Sequence, residues 1–190
     1  MWIVVGLGNP GREYAGTRHN AGFLFIKRLA RRWDVEVKKK KYSARVAEVR
    51  RGGERLVLAL PQTYMNQSGE AVRELLAAYQ VPSESAVVVY DDLHIALGQI
   101  RVRTAGSPGT HKGLGSIVAE TGTTDFPRIR VGIGPLAERA DAVRFVLSPF
   151  SRDERAVLDD ALARAEEALE MILDGRIDQA MNEFNRKAVA

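Results

Sequence analysis

Two hydrophobic periods run through this chain. Trp2 to Gly6 is a short apolar, β-branched run closed by glycine, the pattern of a buried strand. Ala44 to Val49 alternate, as a half-buried strand does. Leu56 to Leu60 form another apolar run, stopped by Pro61. Ala86 to Tyr90 (AVVVY) predicts a strongly buried strand, and Ile100 to Arg103 and Ile129 to Ile133 predict two more. Between these lie segments with helical spacing. Ala21 to Trp33 carries Leu24, Ile26 and Leu29, and Glu70 to Tyr79 carries Val72, Leu75, Leu76 and Tyr79. Leu114 to Ala119 predicts a short helix. Arg152 to Leu173 predicts a long one, with Leu158, Leu162, Ala165, Leu169 and Ile172 as its stripe and Ser151 and Glu154 as a capping box. Ile177 to Phe184, after Gly175, predicts a last helix. Strands and helices are interspersed without a linker or repeat. The expectation is one α/β domain over 1–190, a mixed central sheet flanked by helices.

Composition narrows the class. Forty-five per cent of the 190 residues are hydrophobic and 27% are charged, which suits a packed globular chain rather than a disordered one. The absence of cysteine removes disulfides, thiolate zinc sites and a thiol nucleophile. The opening MWIVVGLGNPG lacks the basic region of a signal peptide, and no apolar stretch reaches the ~18 residues of a membrane span. A cytoplasmic protein with no membrane association is the expectation. The net charge of +4 is unevenly spread: 14 Lys/Arg against 5 Asp/Glu over 1–55, 8 against 9 over 56–150, and 6 against 10 over 151–190. A basic front half suits a polyanion such as nucleic acid, or simply a solvated basic face. The run Lys38 to Lys41 carries the same two readings.

Four clusters hold the unusual chemistry: 6–23 (GLGNPGREYAGTRHNAGF), 61–69 (PQTYMNQSG), 90–94 (YDDLH) and 105–117 (AGSPGTHKGLGSI). Each follows a predicted strand, where open α/β sheets bind their ligands. Gly6, Gly8 and Gly11 spell G-x-G-x-x-G after a strand. A dinucleotide site needs those glycines to open a helix, so that pyrophosphate meets its N-terminus. Here Pro10 follows Asn9 and helical spacing begins near Ala21, so no nucleotide cofactor is expected. The three histidines, His19, His94 and His111, lack H-x-x-x-H or H-E-x-x-H spacing, so no metal is expected either. No G-x-S-x-G elbow is present. What remains is a histidine base. Imidazole, with an unperturbed pKa of about 6.5, takes a proton from water near neutrality, and a carboxylate on its other nitrogen fixes the tautomer. Asp91 and Asp92 both qualify as that carboxylate. Asn9 and Asn66 offer neutral donors and acceptors for a peptide-like group, or are turn residues.

Taken together, VGLGNPGREYAGTRHNAGF, PQTYMNQSGEAV, DDL, G-x-x-R-x-R, HKGLGSI, RIRVGIG and the late AMNEFN resemble the bacterial peptidyl-tRNA hydrolases, in order and over nearly the whole chain. The resemblance implies a usually monomeric, metal-free esterase without a cofactor. It would cleave the ester joining a peptide to the 3′ end of tRNA. It implies that His19 activates water and that Asp91, the first acid of the pair, orients it. Asn9 and Asn66 would hold the peptide and the reacting carbonyl, and Met65 would form part of the peptide wall. Tyr14 would pack near the tRNA terminus, and Arg103 and Arg130 would contact tRNA phosphate, where the arginine fork suits two oxygens.

Two positions depart from the family pattern. Lys112 stands where asparagine is usual after the histidine of the fourth cluster, and His94 stands where an acid is common in D-[DE]-L-D. Pro108 also stiffens a loop usually richer in glycine. A non-catalytic RNA-binding module on the same fold is the rival reading. Retention of Asn9, His19, Asn66 and Asp91 favours the enzyme, since a binder needs none of them. If Lys112 places a cation against the tRNA 3′ end, Lys112→Asn weakens tRNA binding and lowers its salt slope by about one. Unchanged binding across a salt titration would overturn that role.

Overall fold

The computed structural model describes residues 1–186; the last four residues of the expected 1–190 domain lie outside the described residues. Its strands are β1 (Trp2–Gly6), β2 (Lys39–Lys41), β3 (Ala44–Arg51), β4 (Glu54–Pro61), β5 (Ala86–Ala96), β6 (Ile100–Arg103) and β7 (Arg128–Gly134). Its helices are α1 (Ala21–Arg32), α2 (Ser68–Tyr79), α3 (Lys112–Thr121), α4 (Ala142–Val146), α5 (Arg152–Leu173) and α6 (Ile177–Phe184). The strands form one mixed sheet in the order β2-β3-β4-β1-β5-β7-β6. β4, β1, β5 and β7 run parallel at its centre, and β2, β3 and β6 are antiparallel to their neighbours.

The strand period of two divides the apolar residues between two cores. Val4, Leu58, Val87 and Val89 face α1, α5 and α6, where they meet Phe25, Ile26, Leu162 and Leu169. Ile3, Val5, Val57 and Val88 face α2 and α3, where they meet Val72, Leu75, Leu114 and Ile117. Burial on both faces is why the central strands read as unbroken apolar runs. The long helix has the expected bounds, and Ser151 and Glu154 close the capping box at its start.

Three elements differ from the pattern reading. β5 does not end at Tyr90 but continues through Asp91 and Asp92 to Ala96. The apolar signal stops, but the ladder does not: Asp91 pairs with Val131 and Asp92 with Gly132 on β7. Glycine at 132 and 134 admits this crossing backbone, since a Cβ there would sit 2.1 Å from the Ala96 carbonyl or 2.3 Å from that of Leu93. Lys39–Lys41 is an edge strand rather than a loop. Three lysines carry no apolar alternation, but they suit an edge, where charge discourages further strand pairing. α4 has five residues and none is buried, so no periodic signal marks it.

The glycines of the first cluster serve packing. β1 ends at Gly6, and α1 begins only at Ala21. A Cβ on Gly6 would lie 2.2 Å from the Gly22 carbonyl, and one on Gly22 would lie 2.3 Å from the Val89 carbonyl and 2.4 Å from Leu7 N. The first turn of α1 therefore rests directly on the sheet, which seats the preceding residues at the ends of β1 and β5. Gly22→Ala forces backbone against backbone and is expected to cost about 1–3 kcal/mol or more, as overpacking does. An unchanged urea midpoint would contradict this contact.

Candidate active site

A cavity of about 750 Å³ opens where β1, β4 and β5 end. Each wall traces to a loop leaving one of these strands or packed against it. From β1 comes Asn9, 8% exposed, whose backbone N–H donates to Asn20 Oδ1 at 2.8 Å and whose carbonyl accepts from Asn20 Nδ2 at 3.0 Å. Asn20 is buried at the head of α1, so this reciprocal pair fixes the loop to the helix. From the loop after β4, the Met65 N–H donates to Asn9 Oδ1 at 2.7 Å. That bond occupies the amide oxygen and leaves the Nδ2 hydrogens of Asn9 to the cavity. Asn66 is exposed on the same short 3-10 turn, Met65–Gln67.

From β5 comes Asp91, 2% exposed. Its two oxygens each lie 2.9 Å from His19 Nδ1, and Oδ1 lies 3.1 Å from His111 Nε2. Burial alone would raise this carboxyl's pKa. His111 and His19 outweigh it and hold the group well below the usual carboxylate range. An ionised carboxylate only accepts, so His19 Nδ1 and His111 Nε2 carry the protons. His111 Nδ1 in turn accepts from Leu114 N–H at 3.3 Å in its role as N-cap of α3, which fits the same tautomer. In the neutral imidazole, His19 Nε2 is then the nitrogen with the free lone pair. Tyr90 packs against the His111 ring with centroids 4.8 Å apart. Burial pushes its phenol up to about 12, so it stays a neutral donor.

The turn carrying His19 is anchored on its other side by Arg18. Arg18 Nη2 donates to both oxygens of Glu154 at 2.8 Å, its guanidinium lies over Phe145 and Phe150, and its backbone N–H donates to the Ser148 carbonyl at 3.0 Å. His19 and the α4 wall of the cavity are thereby tied to one another. Val143 and Leu147, 55% and 39% exposed, form an apolar rim with Tyr64, 57% exposed.

Of the residues singled out from sequence, Asn9, His19, Met65, Asn66, Asp91, Arg103, Lys112 and Arg130 all line this one cavity. Tyr14 is not among its lining residues; it sits half-buried in a turn where its carbonyl accepts from Thr17 Oγ1. Nor do Lys38–Lys41 line it. Asp92, the alternative carboxylate, does not touch an imidazole. Its Oδ2 accepts from Arg130 at 2.7–2.8 Å and its Oδ1 from His94 N–H. Sequence reading missed the role of His111. Its spacing from His19 has no motif, and the only available signal was its place in a glycine-rich cluster heading a helix. Two of the three histidines therefore do converge, with Asp91, into the group among the described residues with metal-ligand geometry. His94 lines the cavity outside that group.

A buried carboxylate hydrogen-bonded to an imidazole beside a cavity, at the C-terminal edge of the parallel strands of an α/β sheet, is the geometry of a candidate hydrolytic site. The peptidyl-tRNA hydrolase family model matches residues 3–190. Peptidyl-tRNA hydrolases of Alkaliphilus metalliredigens and Chloroflexus aurantiacus are 45% and 47% identical over 97% of this chain and 100% and 99% of theirs. The crystal structure of peptidyl-tRNA hydrolase from Acinetobacter baumannii superposes with a TM-score of 0.91 at 36% identity, covering 97% of this chain and 94% of that one. The chain belongs to the peptidyl-tRNA hydrolase family.

The low Asp91 pKa has a consequence for stability. A depressed folded-state pKa contributes stability that is complete above the unfolded value of about 3.9 and is lost as pH falls through the folded value. The urea midpoint of wild type should exceed that of Asp91→Asn at about pH 5, and the difference should shrink as pH falls below about 4 towards the depressed folded value. A difference that does not shrink in acid would show that Asp91 is not ionised preferentially in the fold.

Proposed function

We propose that the protein hydrolyses the ester between a peptide and the 3′ end of tRNA, with His19 as the general base. The observation that carries this reading is His19 Nδ1 at 2.9 Å from both oxygens of buried Asp91, on the wall of the cavity. With its proton on Nδ1, the imidazole presents the Nε2 lone pair to a water. Nε2 takes a proton as the water oxygen attacks the ester carbonyl carbon, and the imidazolium formed is stabilised by Asp91. The free Nδ2 hydrogens of Asn9 suit the oxyanion that develops on the carbonyl oxygen. Collapse of the tetrahedral species breaks the bond to the ribose 3′ oxygen, which takes from Nε2 the proton that came from the water.

The cavity walls suit the two halves of the substrate. Met65, Val143 and Leu147 offer apolar surface to a peptide, and Asn66 offers an amide to its backbone. Arg103, Lys112 and Arg130 offer cations to tRNA phosphates. Arg130 already shares Asp92, so Arg103 and Lys112 carry the less compensated charge. Phosphate contacts read no sequence, which fits an enzyme acting on many tRNAs. The His19–Asp91 pair supplies the base, so these steps require neither metal nor nucleotide. Action as a monomer in the cytoplasm, where the substrate is made, belongs to this reading. Among the described residues no helix is long and apolar enough to cross a membrane.

The test is release of labelled peptide from N-blocked aminoacyl-tRNA with chelator present. His19→Ala should lose about 10²–10⁴-fold in turnover while retaining tRNA binding. Wild-type protein that binds tRNA without turnover would make this an RNA-binding module instead.

A further inference from the structure

We propose that His19, Asp91 and His111 also form a site for a transition-metal cation of the Zn²⁺ type, and that its occupancy switches the enzyme off by reversing the His19 tautomer. The inactivation step rests on His19 as the base; the binding step does not. His19 Nδ1, an Asp91 oxygen and His111 Nε2 all lie within 4.8 Å of one another. The nitrogen–oxygen separations are 2.9 and 3.1 Å. Zinc binds imidazole nitrogen at about 2.0–2.1 Å and carboxylate oxygen at about 2.0–2.2 Å, so tetrahedral ligands stand roughly 3.3–3.5 Å apart. Both nitrogen–oxygen pairs reach that spacing by opening a few tenths of an ångström, and the two imidazole nitrogens, within 4.8 Å of each other, reach it by closing.

The ligands come from ordered elements: a central strand, a helix N-cap, and a turn tied down by Asn20 and Arg18. Both imidazoles are 12% exposed, so an ion arrives through the cavity rather than through the core. Three protein ligands and an open fourth position are the arrangement that keeps one zinc site free for water. Two imidazoles with one carboxylate select Zn²⁺, Cu²⁺, Ni²⁺ and Co²⁺ over Mg²⁺ and Ca²⁺, which prefer all-oxygen sets.

Occupancy rearranges protons without releasing any. Coordination takes the lone pair of His19 Nδ1, so that ring's single proton moves to Nε2. His111 binds through Nε2, so its proton moves to Nδ1, at the cost of the long bond from Leu114 N–H. Asp91 stays ionised and faces the ion in place of two N–H donors. No electron is transferred. His19 Nε2, the atom facing water, now carries a proton and has no lone pair to accept another.

The experiment uses the full chain freed of metal by chelator, with ZnCl₂ as the probe. Calorimetry on the protein without tRNA should show one Zn²⁺ bound per chain, and CoCl₂ should give the intense visible bands of a four-coordinate site. His111→Asn should weaken binding by at least about tenfold, the lower end even for residues one layer outside a metal's ligands. His94→Ala should leave the affinity unchanged. Nitrogen-15 NMR of the histidines should show the His19 proton on Nδ1 without metal and on Nε2 with Zn²⁺. Peptide release, assayed with excess Mg²⁺ on the tRNA, should fall at least about tenfold at saturating Zn²⁺ and recover with chelator. Zinc affinity insensitive to His111→Asn would overturn the site. Zinc bound with His19 Nε2 still unprotonated would overturn the tautomer switch. Full activity in His19→Ala would overturn the base assignment while leaving the calorimetric result to stand alone.

Discussion

One buried carboxylate governs this molecule. Asp91 sits on a strand at the centre of the sheet, removed from water, and such a charge is tolerable only if its environment replaces the hydration it lost. Two imidazoles do so, one from the turn before α1 and one from the N-cap of α3. Neither helix is adjacent to the other in sequence, and they pack on opposite faces of the sheet. The carboxylate therefore joins the two layers at the mouth of the cavity. Satisfying it dictates the tautomer of both rings, and the tautomer of His19 decides which nitrogen meets water. Packing, electrostatics and chemistry converge on that single group.

The loops around it are held by bonds that leave specific atoms free. Asn20 takes up the backbone of Asn9, Met65 takes up its amide oxygen, and what remains is a donor aimed at the cavity. Arg18 neutralises Glu154 and packs on two phenylalanines, so a charged residue beside His19 is itself buried and compensated. Glu166, 1% exposed, is matched in the same way by Arg28 and Arg32, which tie α1 to α5. Several arginines of the basic front half are thus consumed as internal partners. The positive charge that lines the cavity comes instead from residues 103 to 130.

The cavity is lined by two kinds of group. Exposed apolar side chains come from the loop after β4 and from the α4 region, and cations come from β6, β7 and the start of α3. Asp92 tempers the cations by pairing with Arg130, which is a different task from that of Asp91 one residue away. Neighbouring strand residues diverge in direction, so two identical side chains serve different ends.

The α/β class, most element positions and the capped long helix were legible in the linear pattern, and the motifs pointed to many of the residues that line the cavity. Each depends on local spacing or local chemistry, and unbroken apolar runs announce strands buried on both faces. Asp91 and Asp92 could not be told apart in this way, because side-chain direction at the irregular end of β5 depends on its pairing with β7. His111 was invisible for a related reason. It stands 92 positions after His19 in the chain, and only the fold brings both rings to one carboxylate. Tyr14 was named from its motif but lies off the cavity, while Tyr64, inside the second cluster but given no role, stands at its rim. β2 and α4 carry no apolar period, so neither could be read in advance; an edge position and the Arg18 anchor define them. Sequence determined which residue types were available and which segments bury themselves. Tertiary structure decided which distant polar groups share one desolvated charge, because compensation of a buried ion is a matter of distance in space and not along the chain.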